Sequence, residues 1–259
     1  MKTVSIKNII IGEKTPKICV PLMGSDDGAI ISNLDIILDA AKEDKFEIIE
    51  FRGDYYEKLN DKAALSGILK KIQEKLDSII LLFTIRSEQE GGEKLAFRTP
   101  AINEINAFVI ENRLADIVDV EYMSGEEECR KLVELASTND VKIIMSNHDF
   151  KTTPPACEIV NRLVTMQEYG ADIAKIAVMP EDKEHVIELL KASSDMKKNH
   201  PNTPVVAISM GKLGALTRVT GEIFGSAITF ATIGEGSAPG QMSVKKVNDC
   251  IELISKYFV

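Results

Sequence analysis

Short apolar runs alternate with amphipathic stretches along most of the chain. The runs are too short for helices, and the stretches between them carry apolar residues at helical spacing. This alternation is typical of consecutive β/α units. The predicted strands are Ile18–Leu22, Ile48–Phe51, Ile79–Ile85, Ile117–Glu121, Lys142–Asn147, Ile173–Val178, Val205–Ser209 and Ala227–Ala231.

Helices are predicted at Asp27–Lys42, Asp61–Leu76, Pro100–Asn112, Gly125–Ala136, Pro155–Tyr169, Glu181–Lys197, Gly214–Ile223 and Ser243–Tyr257. Eight such units predict an α/β protein, a (β/α)8 TIM barrel, with residues 1–259 as one domain. Two earlier apolar runs, Val4–Ile6 and Ile9–Ile11, predict a β-hairpin that closes the amino end of the barrel. A doubly wound open sheet is the alternative, but no Gly-x-Gly-x-x-Gly follows the first strand to favour it.

One predicted strand, Ile173–Val178, carries a lysine within its apolar run. Ile173, Lys175 and Ala177 share one face, and neither face of the strand is polar. Such a strand belongs in a parallel sheet covered by helices, so Lys175 is expected in the interior. Burial disfavours the ammonium form and favours an amine that can attack a carbonyl carbon. The alternative is a lysine that reaches water or pairs with a carboxylate.

Composition and charge restrict the partners. The 259 residues are 44% hydrophobic and 27% charged, as in soluble globular proteins, and the net charge of -9 argues against nucleic acid. The amino terminus does not resemble a signal peptide, and no apolar run is long enough for a membrane span. The cysteines lack the Cys-x-x-Cys spacing of a zinc site and suggest no disulfide framework, so a cytoplasmic location is expected. They are Cys19, Cys129, Cys157 and Cys250.

Polar residues follow the ends of several predicted strands. Because barrel active sites lie at the carboxyl ends of the strands, these residues should converge on one pocket. They are Glu50, Arg52, Arg86, Asp119, Glu121, His148 and Lys175. The charged residues that end the second and fourth strands could instead form a structural ion-pair network.

Candidate chemistry depends on the charges in that pocket. His148, just past a strand end, is a candidate acid or base. One histidine and several carboxylates could hold a divalent metal, but Arg52, Arg86 and Lys175 would crowd the same pocket. These three cations fit an anionic, oxygen-rich small-molecule substrate better.

Two later segments add to the predicted pocket. After the seventh strand Arg218 brings another positive charge, and Met210 and Phe230 are interpreted as apolar walls. Gly234–Gly240, after the last strand, could cradle phosphate with its backbone amides or act as a mobile lid.

Six stretches in order carry a resemblance. They are Glu50-Phe-Arg52; Phe83-Thr-Ile-Arg86 with Glu90-Gly-Gly92; Ser146-Asn-His148-Asp-Phe150; the Lys175 strand; Ile208-Ser-Met-Gly211 with Arg218; and Ser237-Ala-Pro-Gly-Gln241. Together they resemble the motifs of the type I 3-dehydroquinate dehydratase family, from the second strand to the loop after the eighth. Ile208 departs from the second methionine of many relatives, but it is apolar and similar in size.

The resemblance implies a hydro-lyase without metal or other cofactor. Members convert 3-dehydroquinate to 3-dehydroshikimate and water in the shikimate pathway of aromatic amino acid biosynthesis. Lys175 would form a Schiff base with the substrate ketone and so acidify the neighbouring carbon. His148 would act as general acid and base, and Glu90 would orient it. The resemblance also implies a homodimer.

Other residues match the family's substrate-binding positions. Arg218 matches the residue that pairs with the substrate carboxylate, and Ser237 and Gln241 match a lid over the bound ring. The whole implied set is Glu50, Arg52, Arg86, Met210, Arg218, Phe230, Ser237, Ala238 and Gln241.

Two other functions stay open. A class I aldolase or related lyase would use the same lysine chemistry on a phosphorylated substrate, and a phosphate site would distinguish it. A non-catalytic sensor of a small acid would bind its ligand without turnover.

Overall fold

Ten strands occur in the computed structural model, which describes residues 2–94, 99–233 and 240–258. The hairpin forms as predicted, from β1 (Val4–Ile6) paired antiparallel with β2 (Ile9–Ile11). The other strands are parallel to one another: β3 (Lys17–Leu22), β4 (Ile48–Arg52), β5 (Ile80–Thr84), β6 (Ile117–Glu121), β7 (Lys142–Asp149), β8 (Ile173–Val178), β9 (Val205–Ser209) and β10 (Ile228–Phe230).

Helices follow the parallel strands. Within the described ranges they are α1 (Asp27–Ala40), α2 (Lys62–Leu76), α3 (Thr99–Glu111), α4 (Glu126–Asn139), α5 (Ala156–Glu168), α6 (Lys183–Asn199), α7 (Gly221–Phe224) and α8 (Val244–Phe258). Among them, none combines the length and the low polarity that crossing a membrane requires.

The parallel strands close on themselves. Their order is β10, β3, β4, β5, β6, β7, β8 and β9, and a parallel bridge between Val205 and Ser226 joins the two ends. At that junction the Ala227 N–H donates to the Val205 carbonyl at 2.7 Å. The (β/α)8 TIM barrel is therefore confirmed, and the open-sheet alternative is excluded.

The strands separate two apolar cores. One lies between the outer faces of the strands and the helices, and the other fills the barrel. Side chains of the hairpin, including Val4 and Ile11, join the inner core, so the hairpin plugs the amino end. On β8, Ile173 and Ala177 belong to the inner core, which places Lys175 on the inner face as predicted.

Among the described residues, the predicted helix Gly214–Ile223 is the one predicted element that the structure divides. A 3-10 helix (Leu213–Arg218) and the single turn of α7 replace it. Gly214 packs against β9 so closely that a Cβ there would lie 2.0 Å from the Ser209 carbonyl oxygen. The Thr217 hydroxyl accepts the Ser209 N–H at 3.0 Å and donates to the Gly214 carbonyl at 2.8 Å. These contacts hold the segment against the strand end and prevent a continuous helix.

Candidate active site

A pocket opens at the carboxyl ends of the barrel strands. Ten of the predicted site residues line it: Glu50, Arg52, Arg86, Glu90, His148, Lys175, Met210, Arg218, Phe230 and Gln241. The predicted residues Ser237 and Ala238 lie outside the described residues, and so does the possible phosphate cradle or lid Gly234–Gly240 except for Gly240 itself.

Lys175 lies on the inner face of β8 and is 4% exposed. Its Nζ is 3.4 Å from Asp119 Oδ2 and 3.9 Å from Glu50 Oε1. It also lies 4.6 Å from the centre of the Phe230 ring, within the range of a cation–π interaction. The burial predicted for Lys175 and the alternative of pairing with carboxylates are therefore both observed.

Arg86 is the centre of a buried ion-pair network. Its guanidinium contacts Asp119 at 2.8 Å and Glu121 at 3.1 Å, and it donates to the Ser146 hydroxyl at 2.9 Å. Burial alone would lower the pKa of Arg86, but these carboxylates and Glu90 raise it. Burial likewise opposes ionisation of Asp119, yet Arg86 and Lys175 lower its pKa. An ion-pair network thus exists around Lys175, but it differs from the expected one: Asp119 and Glu121 pair with Arg86. Arg52, which was considered for the same network, pairs with Asp54 instead.

His148 and Glu90 form a hydrogen-bonded pair. Glu90 Oε2 lies 2.9 Å from Nδ1 of His148 and accepts the backbone N–H of the same residue at 3.0 Å. Burial raises the pKa of Glu90 to about 7. Burial, followed by the charges of Arg86, Lys175 and Arg52, lowers the pKa of His148 well below its usual value. The imidazole is therefore neutral near neutral pH, as a general base must be.

Arg52 is held by a residue that the sequence did not single out. Its Nε and Nη2 donate to the two carboxylate oxygens of Asp54 at 2.8 and 2.6 Å. Burial opposes the charge on Arg52, but the bond to Asp54 raises its pKa. Beside it, the Thr84 hydroxyl donates to Glu50 at 3.0 Å. Asp54 follows Arg52 by two residues, and this short spacing is the feature of the sequence from which their pairing could have been predicted.

The opposite wall combines charge with apolar surface. Arg218 is 2% exposed, and its Nη1 donates to the Phe230 carbonyl at 3.3 Å. Burial lowers the pKa of Arg218 to about 10, so the guanidinium stays charged at neutral pH. Met210 and Phe230 are buried, as expected for apolar walls.

Phe150 also lines the pocket, although no role was predicted for it beyond its place in the motif Ser146-Asn-His148-Asp-Phe150. Its ring lies over Gly91, where a Cβ would be 2.3 Å from a ring carbon. Gly91 has a φ of +83°, which L residues with side chains adopt rarely. A glycine at this position therefore allows both the turn after Glu90 and the approach of the ring.

Metal binding finds no support in the described part of the chain. No group of three or more His, Cys, Asp or Glu residues there has the arrangement of a metal site. Asp119 and Glu121, which were expected in the pocket, are buried and do not line it. Their carboxylates contact Arg86.

Comparisons with known proteins agree on one family. The family model for type I 3-dehydroquinase matches residues 18–257. The chain is 42% identical over 255 residues to 3-dehydroquinate dehydratase of Clostridioides difficile strain 630, covering 98% of each chain. Identity to the enzyme of Clostridium novyi strain NT is 39% over 254 residues, again with 98% of each covered.

Solved structures give the same result. A type I 3-dehydroquinate dehydratase from Clostridium difficile, described with covalently modified comenic acid, has a TM-score of 0.93 at 41% identity, with 98% of each chain covered. The 3-dehydroquinate dehydratase of Geobacillus kaustophilus has a TM-score of 0.94 at 31% identity, covering 100% of this chain and 98% of the other.

Proposed function

The chain belongs to the type I 3-dehydroquinase family, and from that premise we propose that it converts 3-dehydroquinate to 3-dehydroshikimate and water through a Schiff base on Lys175. The reaction is a hydro-lyase step of the shikimate pathway. One observation carries the assignment of residues: Lys175, His148 and Arg218 line the same pocket at the carboxyl ends of the strands.

Lys175 supplies the nucleophile. One proton leaves the ammonium, the amine attacks the substrate ketone carbon, and that proton returns to the carbinolamine oxygen, which departs as water and leaves a positively charged iminium. Asp119 and Glu50 lie within 3.4 and 3.9 Å of Nζ, so the positive charge stays beside the same two carboxylates as ammonium becomes iminium. The face of the Phe230 ring favours this charge as well.

His148 moves the protons. Because Nδ1 faces Glu90, Nε2 is the nitrogen that removes a proton from the carbon beside the iminium. The released electron pair neutralises the iminium and forms an enamine. The enamine then expels the substrate hydroxyl, which takes the proton back from Nε2 and leaves as water. A second water hydrolyses the new iminium, frees Lys175, and balances the water lost when the Schiff base formed.

The remaining pocket residues bind the substrate. Arg218, charged and buried, pairs with the substrate carboxylate. Glu50 and Arg52 bind the ring hydroxyls, and Arg86 lines the same side. By the resemblance to the family, we assign apolar contacts with the ring to Met210, Phe230 and Ala238, and the lid over the ring to Ser237 and Gln241.

The form of the protein in the cell is part of this proposal. We infer a cytoplasmic homodimer in which residues 1–259 make one catalytic domain. Free thiols at all four cysteines agree with a reducing compartment. Sedimentation velocity will test the dimer, and a monomer at micromolar concentration would contradict it.

Trapping the Schiff base tests the function. Adding 3-dehydroquinate with borohydride should reduce the imine and attach the substrate carbon skeleton to the Lys175 peptide, while an absorbance assay follows formation of the enone. Lys175→Ala should abolish both the adduct and turnover. Lys151→Ala is the matched control, because Lys151 is an exposed lysine in the segment after β7. Full activity in Lys175→Ala would refute the proposal.

A further inference from the structure

A row of hydrogen bonds connects helix α5 to the histidine and glutamate of the pocket. Nη1 of Arg162, on α5, donates to Asn147 Oδ1 at 2.9 Å. Asn147 Nδ2 donates to Glu90 Oε1 at 3.1 Å. The other oxygen of Glu90 accepts from Nδ1 and the backbone of His148. Both oxygens of Glu90 are thus held, one through Asn147 and one by His148.

Arg162 determines the direction of this row. A guanidinium only donates hydrogen bonds, so it selects the oxygen of the Asn147 amide and turns the NH2 group towards Glu90. Asn147 is 5% exposed, which leaves its amide little alternative in water. A donor at Oε1 favours the charged carboxylate. A charged Glu90 in turn requires the proton of the neutral imidazole on Nδ1 and leaves Nε2 as the acceptor.

We propose that Asn147 and Arg162 are positioning residues for the dehydration: they hold Glu90 as an oriented carboxylate and thereby fix the tautomer of His148 that can accept the substrate proton. This inference rests on the proposed function. Neither residue lines the substrate pocket, so both act through Glu90. Arg162 instead lines a separate cleft on the outer side of β7, which also reaches Asn147, Glu90 and His148.

Several other charged side chains face Glu90 and His148, and they must stay unchanged in any test. Arg86, from the end of β5, lies 3.5 Å from Glu90, and the carboxylates of Asp119 and Glu121 on β6 also act on it. Lys175 and Arg52 act on His148, together with Arg86. Substitutions at Asn147 and Arg162 leave all of these side chains in place, so a change in the pH profile reports on the row itself.

Two substitutions test the row by the pH dependence of kcat. Asn147→Asp places a second carboxylate beside Glu90, and Arg162→Gln frees the Asn147 amide to turn its oxygen towards Glu90. Both changes favour protonated Glu90, so the acid limb should move to higher pH, by about one unit in Asn147→Asp. kcat below the limb should then fall about tenfold. KM should stay near the wild-type value. Arg162→Lys should shift the acid limb less than Arg162→Gln does, because lysine, like arginine, only donates hydrogen bonds.

Arg130→Gln is the matched control. Arg130 is a surface arginine that pairs with Glu126 four residues away and donates to the Glu168 carbonyl, without contact to the pocket. It resembles Arg162, which pairs with Glu158 four residues away. Arg130→Gln should therefore keep the wild-type pH profile.

The outcomes separate this inference from the proposed function. An unchanged acid limb in both variants, with an active wild type, would refute the positioning role and leave the proposed function intact. A loss of kcat that is equal at every pH, together with a lower Tm, would show that the two residues have only a structural role. That result would also refute the positioning role. If Asn147→Asp does not fold, Arg162→Gln on the surface of α5 decides alone. A wild type that neither traps nor turns over 3-dehydroquinate would overturn both.

Discussion

The proton balance of His148 and Glu90 decides when the proposed chemistry can run. Burial and three cations keep the imidazole neutral, while burial raises the pKa of Glu90 to about 7. When the pair carries one proton more than a carboxylate and a neutral imidazole, that proton lies either on the carboxyl group of Glu90 or on the imidazolium of His148. In both forms Nε2 of His148 is protonated. The pair acts as a base only after that proton has left, so the two residues titrate as a unit.

Replacing His148 should separate Schiff-base formation from turnover. His148→Ala keeps Lys175 and its carboxylates, so borohydride should still trap the adduct, whereas kcat should fall by about 10²- to 10⁴-fold. Mass spectrometry of the trapped protein and the enone assay measure the two effects. His185→Ala is the control, because His185 lies on α6 away from the pocket. Equal loss of trapping and turnover would argue against this division of roles.

Replacing Glu90 by glutamine should move the acid limb of kcat to lower pH. The group with a pKa of about 7 is then gone, and only His148, whose pKa is well below its usual value, titrates. The plateau should fall about 10- to 100-fold, because the amide orients the imidazole less well than a carboxylate. A profile of kcat against pH shows both effects. A limb that stays in place would show that Glu90 takes no part in the titration of the pair.

Asp54 should matter for binding more than for chemistry. Asp54→Asn leaves one acceptor oxygen where Arg52 now has two, so the fork of hydrogen bonds is broken. We expect KM for 3-dehydroquinate to rise about tenfold, with kcat changed less than threefold. Steady-state kinetics will measure both, and an unchanged KM would contradict a role for Arg52 in binding.

Individual residues of the site were predictable where the local sequence contrasted with its surroundings. Lys175 contrasts with the apolar strand around it, and His148 follows a strand end. Arg162 gives no such signal, since an arginine four residues after Glu158 is ordinary on a helix surface. Its bond to Asn147 depends on how α5 packs beside β7, which only the folded chain shows.

At the level of strands and helices, carboxylates fix the amino ends of alternate strands. Each precedes β4, β6 or β8 and accepts the N–H of the residue opposite it on the preceding strand, at 2.7 to 2.9 Å. The three pairs are Glu47 with Ile18, Asp116 with Leu81, and Asp172 with Ile143. Asp116 also contacts Lys7 in the turn between β1 and β2 at 3.0 Å, which ties the hairpin to the barrel.

Asp116→Ala should therefore destabilise the fold without changing the site. Losing the bonds to Leu81 and Lys7 should cost about 1–2 kcal/mol of unfolding free energy, a fall in Tm of about 2–8 °C. Thermal unfolding measures the change, and kcat should stay at the wild-type value. Asp39→Ala removes an exposed ion pair with Lys42 and should leave Tm unchanged. Equal Tm values for the two variants would contradict this anchoring role.

Most elements followed from periodicity because each depends on its own apolar face. The strands Ile117–Glu121 and Ile173–Val178 have the predicted ends, and the helix expected at Gly125–Ala136 extends to Asn139. Gly214–Ile223 differs because its conformation depends on backbone contact with β9. Apolar spacing carries no information about such a tertiary contact.

For the molecule as a whole, the net charge of -9 coexists with a pocket rich in cations. The acidic groups around the pocket already have cationic partners, since Asp119 and Glu121 contact Arg86, and Glu50 lies near Lys175. A divalent metal would have to displace these cations from oxygens that they already neutralise. The barrel thus presents organised positive charge to an anionic substrate.

Dialysis against a chelator should consequently leave the dehydratase activity unchanged. The carboxylates of Asp119, Glu121 and Glu50 already lie beside Arg86 or Lys175, and the proposed chemistry takes its electron sink from the iminium. We expect kcat after treatment with EDTA to stay within about twofold of the untreated value, because no step needs a Lewis acid. The control is readdition of Mg²⁺ or Zn²⁺, which should give no gain. A loss of activity that one of these ions restores would contradict the Schiff-base assignment for this pocket.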